Sequence, residues 1–145
     1  MQPVLVVAFF VGAIGLVVWS IAKTRRFESA YRYDGGFDGA LYGAELRYPQ
    51  HEDKIVCRAG ANSGALFLLC DPAWKARSWA RDQGRSALRH GLRIPWSQIT
   101  YRRGRVMFGR CVWFEVAAEK TTFYLPERVA SRLLADAGRP MPPGG

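Results

Sequence analysis

Apolar residues are distributed along this chain in three ways, and each predicts a different element. Residues 3–22 (PVLVVAFFVGAIGLVVWSIA) carry no ionisable side chain. A helix of that length rises about 30 Å, the thickness of a bilayer's hydrocarbon core, so a membrane-spanning helix is expected. From Ala40 the period becomes two. Tyr42, Ala44, Leu46 and Tyr48 share one face and Gly43, Glu45 and Arg47 the other, which is the pattern of a half-buried strand. Residues 54–59 and 65–70 are short apolar runs around Gly60-Ala61-Asn62-Ser63-Gly64, a predicted hairpin. Strand signals return at 92–101, 105–108, 112–116 and 121–125. Arg102-Arg103-Gly104 and Ala118-Glu119-Lys120 stand where an antiparallel meander needs tight connections. After Pro126, which suits a helix's first turn, Val129, Ala130, Leu133, Leu134 and Ala137 recur at helical spacing. They predict an amphipathic helix of about three turns, stopped by Gly138 and Pro140.

These patterns divide the chain into an anchor (1–22), a juxtamembrane connector (23–39), a β-rich domain with its C-terminal helix (40–138) and a disordered tail (139–145). The connector is assigned from the turn chemistry of Asp34-Gly35-Gly36 and Asp38-Gly39. The tail is assigned from its prolines and glycines. Residues 23–145 suffice for one small core. Residues 71–91 break the strand rhythm and read as a long loop or a short helix carrying Trp74, Trp79, Lys75, Arg77, Arg81, Arg85 and Arg89. Arginines four apart drift only about 40° per step on a helix, so Arg77, Arg81, Arg85 and Arg89 could line one side of it.

Charge orients the anchor. Only Met1 and Gln2 precede the span, whereas Lys23, Arg25 and Arg26 follow it, and positive flanks stay cytoplasmic. The N-terminus is therefore expected outside and residues 23–145 in the cytoplasm. A cleaved signal peptide is the competing reading, since Ser20 and Ala22 satisfy a small-x-small cleavage rule. The absent charged n-region and the length of the apolar run oppose it. Trp19 suits the headgroup boundary, and Ala8 with Gly12 forms a small-xxx-small pair through which two spans could pack as a homodimer. Seventeen arginines against four lysines suggest a GC-rich bacterial genome.

Little here suggests catalysis. Cys57, Cys70 and Cys111 are odd in number and form no C-x-x-C pair, which argues against a disulfide framework or a zinc site and fits a reducing compartment. His51 and His90 adjoin no Ser or Cys motif, and no phosphate loop, nucleotide fingerprint or metal spacing occurs. No catalytic, cofactor-binding or metal-binding residue is assigned, and a binding or scaffold module is expected rather than an enzyme.

The candidate chemistry is basic. Ten of the 21 Lys and Arg residues and only one acid, Asp82, fall between Lys75 and Arg110, a local charge of +9 that equals the net charge of the chain. Beside an anionic leaflet each such charge can contribute about 1 kcal/mol. Arg102, Arg103 and Arg105, around Gly104, form a guanidinium-rich expected turn suited to phosphate. Arg77, Arg81, Arg85, Arg89, Trp74 and Trp79 extend the surface toward anionic lipid or a protein partner. A membrane-tethered binder of single-stranded nucleic acid, stacking bases on the tryptophans, is the alternative.

Six or seven short antiparallel strands closed by a C-terminal helix resemble the pleckstrin-homology-like fold, an open barrel. More locally, Ile94-Pro95-Trp96-Ser97-Gln98-Ile99 is similar to the I-P-W-S-x-I strand of uncharacterised bacterial single-span inner-membrane proteins with a β-rich cytoplasmic domain. The resemblance implies an inner-membrane location with that topology and brings no catalytic residues.

Overall fold

The computed structural model describes residues 3–49, 54–71, 85–88, 90–107 and 109–144. Helix α1 (Pro3–Ala30) is 28 residues long, about 42 Å. It is long and apolar enough to cross a membrane, and its apolar window is 0% buried. Phe9 and Val11, on opposite sides of the helix, are 75% and 64% exposed. A helix apolar all round needs an apolar medium on every side.

The helix does not stop where the apolar run stops. Residues 23–30, expected to begin the connector, form two further turns of α1. They contain no glycine or proline, and Phe27 has a core to enter. Its ring is fully buried, 5.4 Å from Tyr31, 6.3 Å from Tyr48 and 6.1 Å from Phe123. The Tyr31 N–H donates to the Phe27 carbonyl at 3.2 Å, and the chain then turns into β1 (Arg32–Tyr33).

The remaining strands are β2 (Tyr42–Arg47), β3 (Lys54–Ala61), β4 (Ala65–Leu69), β5 (Arg85–Ala87), β6 (Gly91–Pro95), β7 (Ile99–Val106), β8 (Gly109–Val116) and β9 (Thr121–Pro126). Eight of them form one antiparallel sheet in the order β1-β6-β4-β3-β2-β9-β8-β7, while β5 runs parallel beside the start of β3. Helix α2 (Glu127–Asp136) follows Pro126 and buries Val129, Ala130, Leu133 and Leu134 against the sheet's inner face. Tyr42 donates to Asp136 at 2.8 Å and locks the end of α2 to β2. Gly138 stops the helix at φ +68°, which a residue without Cβ adopts at little cost.

Hairpin β3–β4 and the alternation on β2, β8 and β9 follow the sequence pattern. Three expectations are corrected. First, Arg102-Arg103-Gly104 is not a turn. Strand β7 runs straight through it, and the chain reverses between Val106 and Gly109, which pair with each other. Gly104 leaves room for an indole: a Cβ there would collide with Nε1 of Trp113. Second, residues 92–101 are a corner and not one strand. Pro95 ends β6, a 3-10 turn spans Trp96–Gln98, and β7 departs along the sheet's opposite edge. Trp96 is buried and its indole N–H donates to the Asn62 carbonyl at 2.8 Å. Tyr31 donates its hydroxyl proton to Gln98. Third, Arg85 opens a strand, so Arg77, Arg81, Arg85 and Arg89 do not share one helix.

Segment 34–41, the expected turn-rich connector, crosses the outer face of β3, β4 and β6. Phe37 and Tyr33 lie 4.7 and 5.4 Å from Phe67, burying a ring that would otherwise face solvent. The expected disordered tail runs back along β7: Tyr101 donates to the Pro140 carbonyl at 3.0 Å, and Arg139 lies 4.9 Å over the Trp96 ring.

Burial of Phe27 makes the end of α1 part of the core of the β domain. Phe27→Ala is expected to destabilise the head by about 3–5 kcal/mol. Thermal unfolding of the detergent-solubilised full chain checks this, with Phe9→Ala, on the bare part of α1, expected to leave the melting temperature unchanged.

Candidate functional site

Strand alternation sorts the arginines of β7. Arg102 lies on the outer face, in a register row with Trp113, Tyr124 and Arg47. Its guanidinium sits 5.6 Å over the Trp113 ring, and Trp113 in turn packs 4.7 Å from Tyr124. Arg103 points to the other face. There its Nη2 is 3.9 Å from the Glu127 carboxylate at the start of α2, where the helix dipole favours a negative charge. Arg105 shares Arg103's parity and is paired in register with Arg110. The expected cluster of three is therefore split. Arg103 and Arg105 meet Arg110, which sequence reasoning had counted in the basic stretch but had not singled out, and Arg102 is left on the opposite side. The signal for Arg110 was the hairpin register, visible only once the reversal is placed after Val106.

Arg103, Gly104, Arg105, Arg110, Glu127 and Gly144 line an open cavity of about 150 Å³. Water occupies about 30 Å³ in the liquid, so the cavity can hold a small oxyanion. Three guanidiniums face one carboxylate. The Nε of Arg103 is buried and without a hydrogen-bond partner among the described residues. A buried donor left unmade costs about 1–3 kcal/mol, and such groups are rare in folded proteins. An anion in the cavity would balance the excess of guanidinium charge over the single Glu127 carboxylate.

Trp74, Trp79, Arg77, Arg81 and Arg89 lie outside the described residues, as does His51. Arg85 belongs to β5 through its backbone pairing with Lys54.

Burial holds two of the three thiols in the protonated form. Burial pushes Cys57 up to about 12. Burial also raises Cys111, with Arg102 opposing and Glu127 adding to the shift. Cys70 is half-buried and donates to the Leu88 carbonyl at 3.2 Å. Cys70, His90 and Asp34 line one cavity, but Asp34 is taken up by Arg32 at 3.2 Å. Among the described residues no group of three His, Cys, Asp or Glu side chains could hold a metal ion.

Compared with models of known protein families, with curated proteins and with solved structures, the chain matches none.

The thiol environments order their reactivity. At pH 8 a thiol with a pKa of about 12 is only about one part in ten thousand thiolate. In folded protein a disulfide reagent is expected to modify Cys70 first and Cys57 only after denaturant is added. Peptide mapping of the labelled protein checks the order.

Proposed function

We propose that the protein is a single-pass component of the bacterial inner membrane, N-terminus outside, whose cytoplasmic head is a pleckstrin-homology-like binding module. The module takes an anionic group of a partner protein, carboxylate or phosphate, between Arg103, Arg105 and Arg110. The bare apolar length of α1 supports the span, and Lys23, Arg25 and Arg26 support its direction. The strand order supports the fold reading. Without the short β1 and β5, seven antiparallel strands run β6-β4-β3-β2-β9-β8-β7, the first joined to the last and a helix closing the core. This remains a likeness of architecture, and the function is argued from the site.

The observation that carries the proposal is a cavity walled by Arg103, Arg105 and Arg110 with Glu127 as its one carboxylate. A protein partner is favoured over lipid for this site because of its place on the hairpin. The β8–β9 turn lies beside α1, lining a cavity with Trp19, Lys23 and Arg26. Arg110 stands six residues along β8 from Val116, about 20 Å of strand, more than twice the Debye length of about 8 Å in the cell.

A second reading, a membrane-tethered binder of single-stranded nucleic acid, is favoured by the outer-face row of Arg102, Trp113, Tyr124 and Arg47. Were bases stacked there, Trp113→Ala would cost about 1–3 kcal/mol of single-stranded DNA binding, measured with its salt slope.

For the anion site, inorganic phosphate serves as the probe. Titrated into the detergent-solubilised full chain, it is expected to raise the melting temperature, by the equivalent of about 2.7 kcal/mol at a hundredfold excess over its dissociation constant. The double variant Arg105→Gln, Arg110→Gln should lose the shift. Arg102→Gln, on the other face, should keep it. An equal response in all three removes the site.

A further inference from the structure

A second basic cavity lies at the opposite end of the β7–β8 hairpin. It has a volume of about 270 Å³ and is lined by Trp19, Ala22, Lys23 and Arg26 of α1 and by Ala118, Glu119 and Lys120 of the β8–β9 turn. Trp19, Lys23 and Arg26 are four and three residues apart, so they rise as one stripe on consecutive helical turns. The Lys23 ammonium sits 5.1 Å over the Trp19 ring, which places a cation at the depth where an interfacial tryptophan rests. Lys120 comes from a separate element. It is the only non-glycine residue with positive φ (48°) among the described residues, and it is held there by its N–H donating to the Ala117 carbonyl at 3.2 Å. A side chain in that conformation is uncommon and glycine or asparagine would be easier, yet the turn presents a lysine. Three cations face one carboxylate, Glu119.

We propose that this cavity is a headgroup site for an anionic phospholipid of the same membrane. The lipid phosphate is gripped from one side by Lys23 and Arg26 and from the other by Lys120, with Trp19 packing along the top of its acyl chains. The inference rests on α1 being a membrane span, which puts Trp19 and Lys23 at the headgroup level. Its occupant differs from that of the distal arginine cavity. The apolar wall supplied by Trp19 and Ala22 gives a lipid's acyl chains a surface that a soluble phosphate would leave unused. Bound there, one lipid bridges helix and sheet and holds the head at a set angle to the bilayer.

The test uses full-length protein in detergent, with native mass spectrometry counting retained lipid. Wild type is expected to keep phosphatidylglycerol in preference to phosphatidylcholine. The preference should fall about fivefold for each charge removed, the equivalent of about 1 kcal/mol per basic residue at an anionic surface, in Lys23→Gln, Arg26→Gln and Lys120→Asn. Lys120→Asn relieves the positive-φ backbone while removing the charge, so its melting temperature should hold or rise as lipid retention falls. Equal retention of both lipids by wild type, or an unchanged preference in the triple variant, overturns the site. Glycerol phosphate displacing phosphatidylglycerol at an equal concentration would overturn the lipid as occupant and assign a soluble phosphate. Alkaline carbonate extraction of membranes reads the anchor separately. Protein that stays in the pellet but shows no lipid preference sinks this site alone, whereas protein released to the supernatant sinks the span and the site with it.

Discussion

The Phe27 ring is the point on which the architecture turns. It belongs by sequence to helix α1 and by packing to the core of the β domain, where it meets Tyr31, Tyr48 and Phe123. A fully buried phenylalanine is worth roughly 1.5–3 kcal/mol in transfer alone. That energy is available only while α1 stays helical for two turns past the apolar run and enters the sheet at a fixed place. Its surroundings reinforce the site. Burial and the Glu28 carboxylate together push the Tyr48 hydroxyl well above its usual range, so it stays a neutral donor. Helix α1 and the sheet are thereby one packed unit, and swinging one freely against the other would require pulling Phe27 out.

Directly beyond Phe27 the chain is pinned to the corner of the sheet. The Arg93 N–H donates to the Tyr31 carbonyl at 2.9 Å, the Tyr31 hydroxyl donates to Gln98, and the Ala117 N–H donates to the Gln98 carbonyl at 3.3 Å. The hexapeptide from Ile94 to Ile99 thus has a physical role for nearly every residue. Ile94 and Ile99 are buried at the ends of two strands, Pro95 lacks the N–H that would continue the ladder, Trp96 anchors to Asn62, and Gln98 receives Tyr31, the residue directly after α1. One corner therefore sets both where the sheet turns and where the anchor enters.

Much of this was legible in the chain. The apolar span, the alternation on β2, β8 and β9, the β3–β4 hairpin and the amphipathic α2 follow from periodicity, because each element buries one face against a partner whatever that partner is. The failures share a cause, which is long-range packing. Gly104 reads as a turn residue until Trp113, nine positions on, is known to need its space. Phe27 reads as connector until a pocket formed by Tyr48 and Phe123 is available to it. The arginines of residues 102–105 read as one cluster while a turn is assumed, and the alternation of a strand then separates Arg102 from Arg103. No local pattern reveals that Arg110 stands opposite Arg105, since cross-strand register depends on where the reversal falls.

The same register keeps the two basic cavities of the domain apart. Along β8 the Val116 end adjoins the turn beside Lys23 and the Arg110 end adjoins Arg103 and Arg105. Roughly 20 Å of strand lies between, and at physiological salt exposed charges at that distance are largely screened from each other. A charge bound at the first cluster therefore does little to attract or repel one at the second. Because Phe27 fixes the helix to the sheet, an anchored head also cannot roll to bring its distal arginines down without losing core packing of about 3–5 kcal/mol. For a head tethered to a bilayer as proposed, that penalty matches or exceeds the roughly 3 kcal/mol that three arginines could gain at the surface. The packing of Phe27 against Tyr31, Tyr48 and Phe123 therefore fixes Arg103, Arg105 and Arg110 at the end of the sheet away from Lys23.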